Sequence, residues 1–263
     1  MRPLLWALGV VVVLIAVNGV ISVLPHFLTR RRKATAPREG LVIFAESIRW
    51  LNVRWGTRTI AAGLQRANFG GEFLYWRWHT AWRGTLVLPC IMDRGLLERE
   101  SQRLADFITD QRRRQPERPI HLMGYSCGAY IAVRALELLA PGTAVDGVAL
   151  LAAAISPRRD LAAAAARVTG NLAVTSSAGD WLILGLGTLL FGTGDRVHTP
   201  SLGMVGPRAP LPPNVVHLAW RPRDLLAGHT GGHFGVSTAG YFARHVAPKV
   251  LRAIHPPTRR VEL

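Results

Sequence analysis

Residues 120–131 read IHLMGYSCGAYI and place a Gly-x-Ser-x-Gly motif, residues 124–128, between an apolar run and a helical pattern. This order is the strand–turn–helix context that the motif requires. In so sharp a turn the serine, Ser126, takes a strained backbone conformation, and the two glycines omit the Cβ atoms that would collide with the neighbouring strand and helix. The sequence therefore predicts that the Ser126 hydroxyl projects from the carboxyl edge of a β-sheet.

The residue after this serine, Cys127, falls in the first turn of the predicted helix. Backbone N–H groups in a first turn have no intrahelical partner, so we expect the Cys127 N–H to be able to hold an oxyanion. We interpret its thiol as a small side chain that packs in the hydrophobic core. The other cysteine, Cys90, is distant in the sequence and no Cys-x-x-Cys spacing occurs, which supports neither a disulfide framework nor a cysteine-built zinc site and favours a reducing compartment.

Short apolar runs alternate with helical patterns on both sides of the motif. Strands separated by helices predict an α/β domain with a mostly parallel central sheet and helices on both faces. We find no internal repeat, so residues 41–263 are expected to form one domain. The predicted strands are residues 41–45, 72–78, 119–123, 145–152, 171–175 and 215–220, and the predicted helices are residues 57–67, 96–113, 128–139 and 238–254.

The amino-terminal region, residues 1–28, is predicted to be a transmembrane anchor. Residues 4–24 carry no charge, and as a helix rising about 1.5 Å per residue they cover the ~30 Å hydrocarbon core of a bilayer. A cleaved signal peptide is the alternative, but this stretch is longer than a usual h-region and no Ala-x-Ala site follows it. Residues 29–40 indicate a basic juxtamembrane linker, whose charge predicts a single-pass protein with the following domain in the cytoplasm.

The chain is strongly basic, with 32 basic and 16 acidic residues and a formal net charge of +16. Such a charge suits nucleic acid, an anionic membrane surface or a well-solvated exterior. The basic runs at residues 30–33 and 112–114 are not interleaved with aromatic residues, so we expect no nucleic-acid partner and interpret the second run as a solvated helix end. With 49% hydrophobic and 18% charged residues, the composition excludes a disordered or coiled-coil protein, and it does not indicate an oligomeric state.

One aspartate lies where an acid could orient a histidine. Asp180 follows the strand predicted at residues 171–175, and therefore lies at the carboxyl edge of the sheet. Its alternative role is to cap a helix that begins at Trp181. Asp195 is the competing acid, although a turn aspartate paired with Arg196 is the alternative interpretation for it.

Two histidines lie in the segment GHTGGH, residues 228–233, which follows the strand predicted at residues 215–220. We favour His233 as a base, because the glycines before it let the loop place it over Ser126, and His229 remains the alternative. The glycines also predict a loop rather than a metal-binding helix face, and no glutamate completes a His-Glu-x-x-His site. We therefore expect neither a metal nor another cofactor.

From residue 41 onward, the chain resembles the α/β-hydrolase superfamily, particularly bacterial serine esterases and lipase-like members. The resemblance rests on the Gly-x-Ser-x-Gly motif and on the order serine, aspartate, histidine at successive strand ends. It implies Ser126 as the nucleophile, Asp180 as the triad acid and His233, or alternatively His229, as the general base.

The sequence departs from this family pattern after the first strand. Hydrolases of this type usually follow that strand with a His-Gly pair whose loop donates a second oxyanion N–H, whereas here Glu46 and Ser47 follow residues 41–45. The backbone of Glu46 or Ser47 is the candidate second donor. Loss of one such donor typically lowers the rate by about 10²- to 10³-fold.

Together these features predict a membrane-anchored serine hydrolase that cleaves carboxylic esters by a Ser-His-Asp mechanism. The anchor, its basic flank and the apolar stretch at residues 181–191 favour a small-molecule ester with a lipid-like or other apolar acyl group. Two alternatives remain. One is an acyltransferase that uses the same nucleophile, and the other is a catalytically inactive hydrolase-fold interaction module, which the missing His-Gly pair favours.

Overall fold

A computed structural model describes residues 39–46, 56–78 and 92–251, together with positions 13, 20 and 24. The strands in these ranges are β1 (Leu41–Ala45), β2 (Glu72–Trp76), β3 (Ile120–Tyr125), β4 (Gly147–Leu151), β5 (Leu172–Ser176) and β6 (Val215–Ala219). They form one sheet in the order β2-β1-β3-β4-β5-β6, in which all neighbouring strands are parallel. The predicted parallel α/β sheet is confirmed.

The burial of the strands explains their sequence pattern. Every residue of β1, β3, β4 and β5 is buried. Strands covered on both faces read as continuous apolar runs rather than as alternating ones. The two edge strands, β2 and β6, are partly exposed, and after Val215 the positions of β6 alternate between half-buried and exposed.

The three longest helices among the described residues are α1 (Thr57–Arg66), α2 (Arg94–Arg114) and α3 (Cys127–Leu138). Helix α2 begins two residues earlier than predicted, because Asp93 Oδ1 accepts a hydrogen bond from the Leu96 N–H at 2.8 Å and caps the helix. The shorter segments are α4 (Ala162–Ala165), a π-helical stretch (Trp181–Gly187), α5 (Thr188–Phe191), α6 (Leu202–Val205), two 3₁₀ helices (Pro222–Ala227 and Gly235–Ser237), α7 (Ala239–Tyr241), a π-helical stretch (Phe242–Val246) and α8 (Ala247–Val250).

After β2 the chain adds its next strands on the other side of β1, and the site lies where this change of side occurs. From β1 the chain passes through α1 to β2 on one side, and it later passes through α2 to β3 on the other side of β1. Since crossovers between parallel strands are right-handed, α1 lies on one face of the sheet and α2 and α3 lie on the other. Ligands of open α/β sheets bind at such a change of side, outside the carboxyl ends of its two strands. Here β3 ends at Tyr125, directly before Ser126.

The arginine run at residues 112–114 is only partly the solvated helix end that we expected. Its last two arginines pair with Asp110 on the exposed side of α2. Arg112 instead donates to Asp146 Oδ2 at 2.7 Å, and the same oxygen accepts from the Ile120 N–H at 2.8 Å. Arg112 therefore ties the end of α2 to the first residue of β3 and to the residue before β4.

The prediction of a single-pass membrane protein is contradicted. No helix in the described ranges is both long enough and apolar enough to cross a membrane. Helix α2 has 21 residues but carries charged side chains along its length, and α3 has only 12 residues. The predicted anchor, residues 1–28, lies outside the described residues apart from positions 13, 20 and 24, and only positions 39 and 40 of the predicted linker are described.

Candidate active site

The Ser126 turn joins β3 directly to α3. Ser126 has φ 56° and ψ −119°, a conformation that residues with a side chain rarely adopt. Such a conformation costs about 1–3 kcal/mol and persists where the surroundings hold it. The Ser126 N–H donates to the Leu151 carbonyl at 2.8 Å, and the Ser126 carbonyl accepts from the N–H groups of Ala129 and Ala154, both at 3.1 Å. The turn is therefore fixed to α3 and to the chain that follows β4.

The two glycines of the motif permit a close approach of backbones. A Cβ atom at Gly124 would lie 2.6 Å from the Cα of Ala129 in α3. A Cβ atom at Gly128 would lie 2.1 Å from the carbonyl oxygen of Ala45, the last residue of β1. Both distances are far inside van der Waals contact, so only glycine lets α3 begin against the carboxyl ends of β1 and β3.

The candidate oxyanion donors lie around the start of α3. Cys127 is the first residue of this helix and is buried. Glu46 follows β1 and is fully buried, and its Oε1 accepts from the Thr57 N–H at 3.3 Å and from the Thr57 hydroxyl at 2.9 Å. A Cβ atom at Gly128 would lie 2.6 Å from the Glu46 carbonyl oxygen, which places the Glu46 main chain beside the start of α3. Ser47 lies outside the described residues.

Asp180 and His233 form a hydrogen-bonded pair at the same edge of the sheet. Asp180 follows β5 and His233 follows β6, and His233 Nδ1 lies 2.6 Å from Asp180 Oδ2. The pair is withdrawn from solvent, with exposed fractions of 4% for Asp180 and 8% for His233. Since a carboxylate only accepts, Nδ1 of His233 donates, and in the neutral tautomer Nε2 carries the lone pair.

The second carboxylate oxygen of Asp180 caps the helical segment that follows. The Leu184 N–H donates to Asp180 Oδ1 at 3.4 Å and to the Asp180 carbonyl at 3.0 Å. The two interpretations of Asp180, as a partner of a histidine and as a helix cap, thus describe the two oxygens of one side chain.

The competing acid, Asp195, binds a different part of the chain. Both of its carboxylate oxygens accept from the Ser156 N–H, at 2.8 and 3.1 Å, and Oδ1 also accepts from the Thr193 hydroxyl at 2.6 Å. Its ion pair, at 3.9 Å, is with Arg159 and differs from the predicted pairing with Arg196. These contacts fix a turn, as expected for a turn aspartate.

The second candidate histidine, His229, belongs to an aromatic cluster. It is 2% exposed, and its Nδ1 accepts a hydrogen bond from the Gly231 N–H at 3.1 Å. Its ring meets Tyr241 edge-on with 4.6 Å between centroids, and its carbonyl accepts from Trp220 Nε1 at 2.8 Å. Burial lowers the pKa of His229 to about 4, so the ring is neutral near pH 7. In the described part of the chain, no group of three or more His, Cys, Asp or Glu side chains could hold a metal ion.

Acid is expected to destabilise the protein through His229. An unfolded histidine has a pKa of about 6.5, so between about pH 6.5 and pH 4 the unfolded chain binds a proton that the folded His229 does not bind. Above this pH range the neutral ring contributes its full stabilisation to the folded state. As the pH falls through the range, the free energy of unfolding decreases, by about 2 kcal/mol at pH 5. His229→Asn, whose Oδ1 can still accept from Gly231, should lose this part of the pH dependence in urea unfolding measured near neutrality and near pH 5.

The matched control for this measurement is His198→Asn, which replaces an exposed histidine. It should retain the pH dependence of the wild type. An identical fall in the free energy of unfolding for the wild type and His229→Asn would contradict the buried, neutral state of His229.

Tyr125 touches His233, although sequence reasoning did not single it out. Its hydroxyl donates to the His233 carbonyl at 3.1 Å. Its ring stacks on the His233 imidazole, with 5.2 Å between centroids and 27° between planes. The contact joins residues 108 positions apart, and no local pattern indicates such a pairing.

An apolar segment, residues 181–191, lies in the chain between β5 and β6. It begins directly after Asp180, and shortly after its end the Gly194 N–H donates to the Ala154 carbonyl at 2.8 Å. Ala154 in turn binds the Ser126 carbonyl. The large exposed side chains of the segment, between 40% and 58% accessible, are Trp181, Leu182, Ile183, Leu186, Leu189, Leu190 and Phe191.

Comparison with known proteins gives one family match. Residues 94–188 match the family model Hydrolase_4, described as serine aminopeptidase, S33. The matched stretch runs from the start of α2 to the first residue of α5, so it contains Ser126 and Asp180 and ends before His233. No curated protein matches the chain.

Several solved structures are similar to the chain, among them the following three. Dienelactone hydrolase from Anabaena variabilis is 20% identical, with a TM-score of 0.48 over 81% of this chain and 87% of that chain. Trichoderma reesei cutinase is 12% identical, with a TM-score of 0.40 over 87% of this chain and 85% of that chain. A cutinase-like protein from Cryptococcus sp. is 17% identical, with a TM-score of 0.37 over 84% of this chain and 98% of that chain.

Proposed function

We propose that this chain, an α/β-hydrolase whose central region matches a serine hydrolase family, cleaves carboxylic esters with Ser126 as nucleophile, His233 as general base and Asp180 as the acid. The hydrogen bond of 2.6 Å between His233 Nδ1 and Asp180 Oδ2 carries the proposal. Burying a carboxylate costs desolvation energy, which its hydrogen bond to the imidazole offsets. This buried pair lies at the carboxyl edge of the sheet, where the Ser126 turn also lies. A histidine oriented in this way is what nucleophilic catalysis by a serine requires.

The proposed reaction begins with transfer of the Ser126 hydroxyl proton to His233 Nε2. As Oγ bonds to the ester carbonyl carbon, the Cys127 N–H holds the oxyanion that develops. Collapse of the tetrahedral species breaks the bond to the alcohol, which leaves with the proton from His233. His233 then takes a proton from water, the water oxygen attacks the acyl group, and the carboxylic acid departs as Ser126 regains its proton. The backbone of Glu46 or Ser47 is proposed as the second oxyanion donor.

Tautomer chemistry favours His233 over His229 as the base. Nδ1 of His229 accepts from the Gly231 N–H, so the proton of the neutral ring is on Nε2. That nitrogen then has no lone pair with which to take the serine proton. Nδ1 of His233 instead faces the Asp180 carboxylate, which leaves Nε2 as the acceptor.

An ester with an apolar acyl group is the substrate class that we propose. The apolar segment, residues 181–191, exposes large side chains and begins directly after Asp180. Gly194, three residues past its end, is linked through Ala154 to the Ser126 carbonyl. Burying such side chains against an acyl chain stabilises a complex by about 25 cal/mol per Å² of apolar surface. A longer acyl chain therefore gains more from the segment than an acetyl group does.

Trp181→Ala is expected to change the preference among acyl chain lengths. Trp181 is 47% exposed and directly follows Asp180. Its truncation should lower kcat/KM for p-nitrophenyl octanoate about tenfold and leave p-nitrophenyl acetate within about threefold, since a lost apolar contact of about 1.4 kcal/mol is a factor of ten. The matched control is Leu211→Ala, which removes an exposed apolar side chain. Leu211 precedes β6 and so lies toward the amino ends of the strands, away from the Ser126 turn. Equal losses for both esters would contradict an acyl-binding role.

Labelling with a fluorescent fluorophosphonate tests the whole proposal, because this reagent reacts with activated serines. We expect labelling of the wild type, none of Ser126→Ala, and labelling at least about 100-fold slower in His233→Asn. His229→Asn, which can keep the Gly231 hydrogen bond, should react within about threefold of the wild-type rate. Circular dichroism checks the folding of every variant.

Two outcomes would redirect the proposal. A folded wild type that is not labelled would contradict it and favour an inactive interaction module, the alternative suggested by the missing His-Gly pair. Labelling accompanied by transfer of the acyl group to an added alcohol, identified among the products, would instead favour an acyltransferase.

A further inference from the structure

The loop that carries His233 depends on contacts from other elements for its position. It contains Gly228 and Gly231, whose φ angles are 89° and 85°, and it has no strand or long helix of its own within residues 228–234. On the β5 side, Asp180 holds the imidazole and the Ser177 hydroxyl donates to the Gly231 carbonyl at 2.5 Å. These contacts fix the loop relative to β5, whereas a base must be fixed relative to the nucleophile, which follows β3.

Tyr125 supplies the attachment to β3. Its main chain is held in the sheet by pairing with Leu151 in β4, and its side chain is fully buried. Its hydroxyl donates to the His233 carbonyl and also hydrogen-bonds the side chain of Ser237, which lies two residues before α7 begins. The residue that precedes Ser126 therefore contacts the His233 loop at His233 and the chain again at Ser237, three residues beyond the loop.

The Tyr125 hydroxyl is a permanent donor. Burial raises the pKa of Tyr125 well above its ordinary value, and the negative charges of Asp180 and Glu46 raise it further. The hydroxyl therefore keeps its proton throughout the pH range in which a histidine titrates. Its bond to the His233 carbonyl does not change with the protonation of the imidazole.

We propose that Tyr125 is a positioning residue for His233: its hydroxyl fixes the loop over Ser126, and its ring stabilises the imidazolium that forms when the serine proton is transferred. The inference rests on the proposed function. A cation within about 6 Å of a tyrosine ring centroid is attracted by the electrons of the ring face. The centroid distance of 5.2 Å meets this condition. The groups that face the imidazole are Asp180 from the loop after β5, Tyr125 from β3 and Phe234 from its own loop.

Two substitutions separate the hydroxyl from the ring. Tyr125→Phe removes the bond to the His233 carbonyl and keeps the stacked ring, so it should lower kcat about tenfold with KM within about twofold. Tyr125→Leu removes both and should lower kcat about 100-fold. Only Tyr125→Leu should also shift the acidic limb of the kcat/KM profile to lower pH, because the imidazolium has lost its aromatic neighbour. The matched control, Tyr241→Phe, alters a buried tyrosine whose ring meets His229 edge-on, and it should change neither quantity.

A spectroscopic measurement separates this inference from the proposed function. A proton held between Nδ1 and a carboxylate oxygen 2.6 Å apart resonates far downfield in proton NMR, and its absence from His233→Asn assigns it. We expect Tyr125→Phe to shift or broaden this signal and Tyr241→Phe to leave it unchanged. An unchanged signal in Tyr125→Phe would overturn the positioning role whether or not the wild type hydrolyses esters. A changed signal in a protein without esterase activity would count against the proposed function alone. Tyr125→Phe removes one oxygen atom, so the measurement stands even if Tyr125→Leu does not fold.

Discussion

Ser126→Ala is expected to lower kcat/KM for p-nitrophenyl butyrate by about 10⁵-fold or more, to a rate close to the background of the assay. The substitution removes the proposed nucleophilic atom and leaves the turn, the proposed oxyanion donors and the Asp180–His233 pair in place. Because alanine has a Cβ atom as serine has, the variant meets the same strain at φ 56° and should unfold at a similar temperature. The remaining rate reports binding and oxyanion stabilisation without a nucleophile.

The matched control for this prediction is Ser101→Ala. Ser101 is a buried serine in α2 whose hydroxyl donates to the Leu97 carbonyl, so its replacement also removes one buried hydroxyl. The control should keep kcat/KM within about twofold of the wild type. Hydrolysis by folded Ser126→Ala at the wild-type rate would mean that the observed activity comes from another group.

Asp180→Asn is expected to lower kcat by about 10⁴-fold with little change in overall structure. An asparagine that accepts from Nδ1 supplies no charge for the imidazolium, and one that donates to Nδ1 forces the proton onto Nε2, where it blocks proton transfer from Ser126. The expected signature is a loss in kcat rather than in KM, because Asp180 acts on His233 and not on the substrate. Stopped assays at several ester concentrations separate the two parameters.

Asp195→Asn is the matched control, because it makes the same change at the competing acid. Its carboxylate binds Ser156 and Thr193, so the substitution is expected to lower the melting temperature while kcat stays within about threefold of the wild type. A larger loss of kcat in Asp195→Asn than in Asp180→Asn would reverse the assignment of the acid.

Those features that depend on short stretches of chain could be predicted from the sequence. The Gly-x-Ser-x-Gly turn follows from local sterics, since Cβ atoms at Gly124 and Gly128 would meet neighbouring backbone. The parallel sheet follows from apolar runs that need cover on both faces. The sequence also suggested two candidate roles for Asp180, and the structure assigns one carboxylate oxygen to each contact.

Features that depend on distant pairings escaped sequence reasoning. The Tyr125 hydroxyl meets a carbonyl 108 residues away, and Arg112 reaches a carboxylate 34 residues away. Neither partner is marked by spacing or composition. The membrane expectation came from hydropathy and the charge of the basic linker, and the described part of the chain contains no helix that fits it.

The order of the strands also governs when the reactive centre can form during folding. Ser126 follows β3, Asp180 follows β5 and His233 follows β6, and 53 residues separate the last two. Contacts of such long sequence separation require closure of long loops, so they form slowly and late. Strands β5 and β6 must join the sheet before the proposed nucleophile, base and acid share one edge. Recovery of an activated serine during refolding therefore dates the docking of the last strand, whereas recovery of helical circular dichroism does not.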